Sequence, residues 1–521
     1  MNAAASSYQA PRTFTPLETW LATLAGLTAF FTGLFTASMV NVAVPSVMGS
    51  FGVGQSQAQL LLSAFLAMNS TGLLASSWMV ARFGQREVFL GALATFGCAG
   101  IFCFIAPTFE FLVLGRVIQG MAAGLLQPLV MMVLVQVFPP QKRGLAMGMF
   151  SMGVTAAVGI GPAVGGLIIE TFQWRLIFLA PIPFTVLAAG LGFFFLPALP
   201  RQVSPPRFDW LGFVLVVAIV FCWFTILGNG QRWGWSSDRI LILLGGVFTG
   251  LVLFFWSQRR VGVTLVDLSL FKNRTYAAGF IFIFFYGFAT LAVIYAFPVF
   301  GQVVQNLPPV NAGALLLPGS IIAGALMPFT GRLTDVLPAR TLLTVGLIVT
   351  AISSFALATA NTNTIFWYIA FMLVISRIGS AIVTPPMMTT PLLGLPPLQM
   401  PRGAGLTNFA AVFGGANGIG CYVVLLEQRI QFHASNLGAT QNFANESAVE
   451  LLRGVGGMLS EAGASVFERD AMAIAHLNRM IVAQANVLGF QDGFLFIGLT
   501  VLISFVPLIF MKNRREVLGF G

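Results

Sequence analysis

Apolar stretches of about twenty residues recur along the whole chain, separated by short connections rich in charge, proline or glycine, and such a polypeptide has few folds open to it. The runs read 20–43, 58–80, 87–106, 109–133, 145–168, 176–196 and 210–228, then 240–257, 275–299, 311–330, 341–360, 365–388, 403–426 and 491–511. Each is long enough to cross a hydrocarbon core of about 30 Å as a helix. Of the 521 residues, 57% are apolar and only 8% charged, too few to coat a soluble core. The sequence therefore predicts an all-α membrane protein of fourteen spans, with the lipid bilayer as its main partner. Disordered, collagen-like and disulfide-scaffold classes are excluded. The four cysteines, Cys98, Cys103, Cys222 and Cys421, all sit inside apolar runs and read as small hydrophobes.

The formal charge of +10 would point to nucleic acid in a soluble protein. Here its distribution explains it. With fourteen spans, both tails and the even-numbered connections share one side, and they hold seventeen of the 26 basic residues, among them Arg82, Arg86, Lys142, Arg143, Arg259, Arg260, Arg332 and Lys512. The short connections on the other side hold only Arg175, Arg232 and Arg239. The positive-inside bias predicts both termini in the cytoplasm, and no nucleic-acid partner is needed. Residues 1–19 carry one Arg and one Glu and no small-residue cleavage site, so the first span is expected to be an uncleaved signal-anchor. The connection 427–490 is the one long soluble segment; patterned stretches at 448–459 and 467–485 predict short amphipathic helices there. It reads either as a docking surface or lid for an outside partner, or as a solvated cap.

In span 5, Gly159, Ile160, Gly161, Pro162, Ala163, Val164, Gly165 and Gly166 place a proline inside a helix, where it removes a backbone hydrogen bond and kinks the axis. This run resembles the G-P-x-x-G-G exporter motif of the major facilitator superfamily. Span 4 carries Arg116, Gln119 and Gly120, similar to that superfamily's R-x-x-Q-G signature. Span 1 ends in Asn41, Val42, Ala43, Val44 and Pro45, similar to the N-V-A-x-P ending of fourteen-span drug:proton antiporters of the EmrB-like subgroup. Trp174–Arg175, Trp233–Gly234–Trp235 and Gly394–Leu395–Pro396–Pro397 ahead of Asn408–Phe409 agree with it.

The resemblance implies the major facilitator fold: a cytoplasmic tail 1–19, a six-helix bundle 20–196, two inserted spans at 210–257, a second six-helix bundle 275–511 that includes the outer connection 427–490, and a tail 512–521. It also implies inner-membrane location, efflux of a small-molecule substrate by alternating access, the proton gradient as energy source with no cofactor, and, in double-membraned bacteria, a periplasmic adaptor and an outer-membrane channel. The departures matter as much. Thr36 stands where the subgroup commonly has an aspartate. In the loop after span 2, Ala81 replaces the gating carboxylate beside Arg82 and Gly84, whereas Gly331, Arg332 and Asp335 keep a fuller copy in the second half.

None of the 16 acidic residues falls near the middle of a span, which leaves proton coupling without an evident carboxylate; Glu427, near His433, is the nearest substitute and reads first as a membrane-edge residue. Two arginines do lie within spans, Arg116 and Arg377. Such a cation is costly unless it faces a wet cavity or a partner, so Arg116, Gln119 and Arg377 are expected to face a central chamber, against the plainer reading of helix glue or snorkelling. Two cations without an evident intramembrane acid point to an anionic cargo. Gly161, Pro162, Gly165 and Gly166 are expected to govern helix motion, and Arg332 with Asp335 to latch the cytoplasmic side. The chain has no phosphate-loop pattern, metal-ligand spacing or nucleophile–base pair, which argues against an enzyme. Two rivals remain: a proton-independent facilitator, and a transporter-like binding or sensory protein that has lost coupling.

Overall fold

The computed structural model describes residues 15–138, 143–196, 207–260, 265–396, 399–441, 445–462 and 465–511. All regular structure among them is helical. The first bundle comprises α1 (Pro16–Phe51), the short α2 (Gln55–Ala58) running into α3 (Leu60–Phe83), α4 (Gln85–Phe104), α5 (Phe109–Val137), α6 (Arg143–Thr171) and α7 (Ile182–Phe195). A hairpin of α8 (Trp210–Trp233) and α9 (Asp238–Arg260) follows. The second bundle comprises α10 (Arg274–Val303), α11 (Pro309–Ala314) leading into α12 (Leu317–Val336), α13 (Ala339–Leu357), α14 (Phe366–Thr389), α15 (Met400–Ala439), α16 (Glu446–Glu461), α17 (Val466–Ile503) and α18 (Phe505–Phe510). Thirteen of these segments are long and apolar enough to cross a bilayer, and α6 runs among them as a fourteenth.

Helix starts follow local chemistry. Thr15 caps α1 reciprocally with Glu18, and Pro16 sits in the first turn, where its missing N–H costs nothing. The α1 start and the α18 end share one end of the molecule, called here the terminal end. At that end Asp209 caps α8 through the Gly212 N–H at 2.8 Å, accepts from Leu265 N–H at 3.2 Å and takes the Gln258 amide, while Gln258 Oε1 accepts from Val266 N–H at 3.1 Å. A buried carboxylate with three donors is satisfied, and it clasps the α8–α9 hairpin to the strand of chain entering the second bundle.

The long connection 427–490 departs from expectation. In place of a run of short helices across 427–490, α15 continues unbroken to Ala439 and α17 starts at Val466, so only α16 is a separate amphipathic helix, packed against α17. At about 1.5 Å per residue, the 40 residues of α15 and 38 of α17 reach about 60 Å, twice the hydrocarbon thickness. The reason is local: no proline interrupts α15 beyond its first turn, and Ser465 with Glu468 forms a capping box that starts α17 far outside the apolar run.

Candidate functional site

A cavity of about 2000 Å³ lies between the two bundles. Its walls come from α1, α3, α5 and α6 on one side and α10, α12, α14 and α15 on the other. It includes the terminal-end residues Phe150, Leu337, Pro338 and Thr389, and reaches inward to Asn41, Leu62 and Ile294. The chamber thus opens at the terminal end. Its wall is mostly apolar, and the charged side chains among the described lining residues are Arg332 and Arg377, with no aspartate or glutamate.

At the far end the bundles touch. Gln302 Nε2 donates to the Val42 carbonyl at 3.1 Å, Gln55 Nε2 to Tyr295 Oη at 3.4 Å, and the Ser56 N–H to Glu427 Oε1 at 2.6 Å. Helix α6 takes part in this seal. A side chain at Gly161 or Gly165 would strike Ser38 or Met39 of α1, while one at Gly166 would strike the Pro309 carbonyl of the second bundle. Reciprocally, Gly313 lies against the Pro162 carbonyl. Where Pro162, Gly166 and Gly313 meet, the glycine-rich run predicted to govern helix motion touches the other bundle at backbone distance, while Gly161 and Gly165 pack on α1 of its own bundle; only residues without a side chain allow such approaches.

The two intramembrane arginines part company here. Arg377 lines the cavity, 8% exposed, with Nε and Nη2 both buried and unpartnered. Arg116 and Gln119, expected on the same chamber, are not among its lining residues. Arg116 is fully buried inside the first bundle: Nε donates to the Leu61 carbonyl at 2.9 Å and Nη1 to Gln119 Oε1 at 2.6 Å. Its guanidinium lies 4.1 Å from the centre of the Phe65 ring, and Phe65 itself lines the cavity, so the ring stands between the cation and the chamber. The physical reason is orientation and cover, not depth: the chamber reaches Leu62, beside the Leu61 carbonyl that Arg116 bonds, but Arg116 turns between α3 and α5 behind Phe65, whereas Arg377 itself lines the chamber.

Residues 26–419 match the model of the Major Facilitator Superfamily. The chain belongs to the major facilitator superfamily. Its relatives include an MFS-type transporter, YhcA of Bacillus subtilis, 26% identical over 96% of this chain and 94% of that one. The lincomycin resistance protein LmrB of Listeria innocua is 30% identical over 81% of this chain and 90% of its own, and the multidrug export protein EmrB of Escherichia coli 27% over 93% and 94%. Among solved structures, a bacterial homologue of the human lysosomal transporter Spinster, inward-facing and unoccupied, superposes with a TM-score of 0.66 at 16% identity, covering 96% of this chain and 98% of that one. That likeness supports the fold.

The remaining predicted residues of this major facilitator protein fall as follows. Asn41 lines the cavity with Oδ1 unpartnered; Pro45 lies one turn further along α1. Gly84, at φ 99°, joins α3 to α4, and Arg82 beside it is exposed. Gly331 and Arg332 lie on the cavity rim, and the side chain of Asp335 lies outside the described residues. Thr36, in the place of the subgroup's aspartate, is buried with its hydroxyl on the Thr32 carbonyl. Sequence reasoning missed Tyr286 and Thr290 of α10, two cavity hydroxyls without partners. Their four-residue spacing was visible, but nothing in a phenylalanine-rich run marks which face meets the chamber.

Proposed function

We propose that this protein is a secondary active exporter of small organic compounds, in the manner of multidrug or metabolite efflux, working by alternating access. The observation that carries the reading is the chamber between the bundles, open at the terminal end and closed at the far end by backbone-distance contacts of α6. The concentration of basic residues at the terminal end supports placing both termini in the cytoplasm of a cell with this protein in its inner membrane, so that this state loads from inside. The names of the LmrB and EmrB relatives support drug-like cargo. A cavity whose described charges are arginines favours anionic compounds. The proton gradient is the proposed driving force, on the subgroup resemblance. A periplasmic adaptor leading to an outer-membrane channel is the proposed partner, and the projecting α15, α16 and α17 offer the surface for it.

One observation favours a second reading, a proton-independent facilitator: the described lining residues include no carboxylate to take up the proton. Inverted vesicles separate the two. Uptake of a mixed panel of anionic, neutral and cationic compounds is compared with and without the protein, before and after the pH gradient is collapsed. Loss of uptake on collapse supports antiport, persistence down a concentration gradient supports the facilitator, and no protein-dependent uptake of any compound removes both.

A further inference from the structure

Resting on the exporter reading, we infer that Arg377, Tyr286 and Thr290 form a carboxylate-binding subsite, and that the cargo is an amphiphilic monocarboxylate whose apolar body lies along the rest of the chamber.

A guanidinium offers Nε and Nη2 as two parallel donors on one edge, the edge that matches the two oxygens of a carboxylate. In Arg377 those two nitrogens are the ones left buried and unpartnered. A bare buried cation is costly in a membrane protein, so an edge held open in this way calls for a ligand. The position is built. Gly319 of α12 lies against the Arg377 stem, where a methyl group at residue 319 would come within 2.8 Å of Cγ, so the absent side chain gives the stem its passage.

Helix α10 supplies the complement. Tyr286 and Thr290 are one turn apart and share a face, both line the chamber, and both hydroxyls lack a hydrogen-bond partner. The Tyr286 hydroxyl lies near Thr290, Ser380 and Thr350 and within electrostatic reach of Arg377, and no hydrogen bond of good geometry ties it to any of them. Ser380 and Thr384, further along α14, already donate to the carbonyls of Ser376 and Ser380 at 3.2 and 2.7 Å. The free donors of this patch are thus the guanidinium edge and the two α10 hydroxyls, four N–H or O–H groups for two carboxylate oxygens. A single arginine neutralises one negative charge, which favours a monoanion over a phosphate dianion at so buried a guanidinium. Phe30, Leu34, Phe65, Leu66, Leu291 and Met388 provide the apolar wall for the body of the molecule.

Equilibrium binding to the purified full-length protein in nanodiscs tests this without requiring transport. The probes are 2-naphthoate, its neutral isostere 2-naphthamide, and inorganic phosphate. Wild type is expected to bind the acid about tenfold or more tighter than the amide, and phosphate weakly. Arg377→Gln should lose about tenfold for the acid and leave the amide unchanged; Tyr286→Phe and Thr290→Val should each lose about threefold for the acid alone. Gly319→Ala, which crowds the stem, should weaken the acid selectively. Equal affinity for acid and amide in wild type, no acid binding up to about 1 mM, phosphate bound more tightly than the acid, or an Arg377→Gln variant that binds the acid as wild type does overturns the subsite. Should Arg377→Gln not fold, the Tyr286→Phe/Thr290→Val pair decides on the same criterion. Selective acid binding without vesicle uptake would sink the exporter reading and leave the subsite standing; uptake without acid selectivity would do the reverse.

Discussion

Arg116 and Arg377 occupy corresponding helices of the two bundles, and both are buried cations with no ion-pair partner among the described residues, yet their surroundings make them opposites. Arg116 is enclosed by Leu61, Gln119 and Phe65 and works as a brace between α3 and α5. Arg377 reaches the chamber, and its Nε and Nη2 have no partner. The difference teaches that an intramembrane arginine is not a cargo site by virtue of its charge. Which way the side chain turns, and whether a ring such as Phe65 covers it, decides whether it meets a carbonyl or a cavity.

Several substitutions bear on this contrast, beginning with the largest expected effect. Arg116→Ala removes two charge-assisted hydrogen bonds and a ring contact and leaves Leu61 and Gln119 with unmet polar groups, a loss of about 3 kcal/mol or more. The thermal unfolding midpoint of the purified protein should fall sharply; an unchanged midpoint would break the contrast by making Arg116 dispensable to the fold. Arg377→Gln is expected to act the other way on the same measurement, shifting the midpoint little or upward because an unpaired buried charge is removed. A drop as large as that of Arg116→Ala would mean both arginines are structural.

The seal offers a smaller effect. Glu427→Gln replaces a charge-assisted acceptor for the Ser56 N–H by a neutral one, at a cost of about 1 kcal/mol to the far-end closure. A cysteine placed at Leu62, at the inner limit of the chamber, should then react faster with a membrane-impermeant maleimide applied to the far-end side; no change in rate would mean the closure is carried by α6 alone. The smallest effect belongs to an exposed control. Asp267 is held below the ordinary carboxylate range by the Ser269 hydroxyl and backbone N–H, with Arg402 adding a contact at 3.4 Å. A depressed carboxylate stabilises the fold above its unfolded value, and that contribution is lost as pH falls through the folded one. Because Arg402 is 73% exposed and screened, Asp267→Asn should change the unfolding free energy at neutral pH by under about 0.5 kcal/mol, with a correspondingly small shift of the midpoint, and by less still at acid pH. A shift rivalling that of Arg116→Ala would show that burial is not what separates these cations.

The number of spans, the helical class, the family and the residues of the α6 motif were legible in the linear chain, because apolar run length and glycine spacing are local properties that burial in lipid converts directly into helices and close contacts. The far-end extension of α15 and α17 was half legible: the patterning of 467–485 was visible, its continuity with the span behind it was not. What tertiary structure alone decided is which polar groups face the chamber. Arg116 and Arg377 look alike in sequence, and Tyr286 and Thr290 are lost in an aromatic run; only orientation and cover sort them. Orientation and cover are set by packing between distant segments, such as Gly166 against Pro309 and Gly319 against the Arg377 stem, and no window of twenty residues contains both partners.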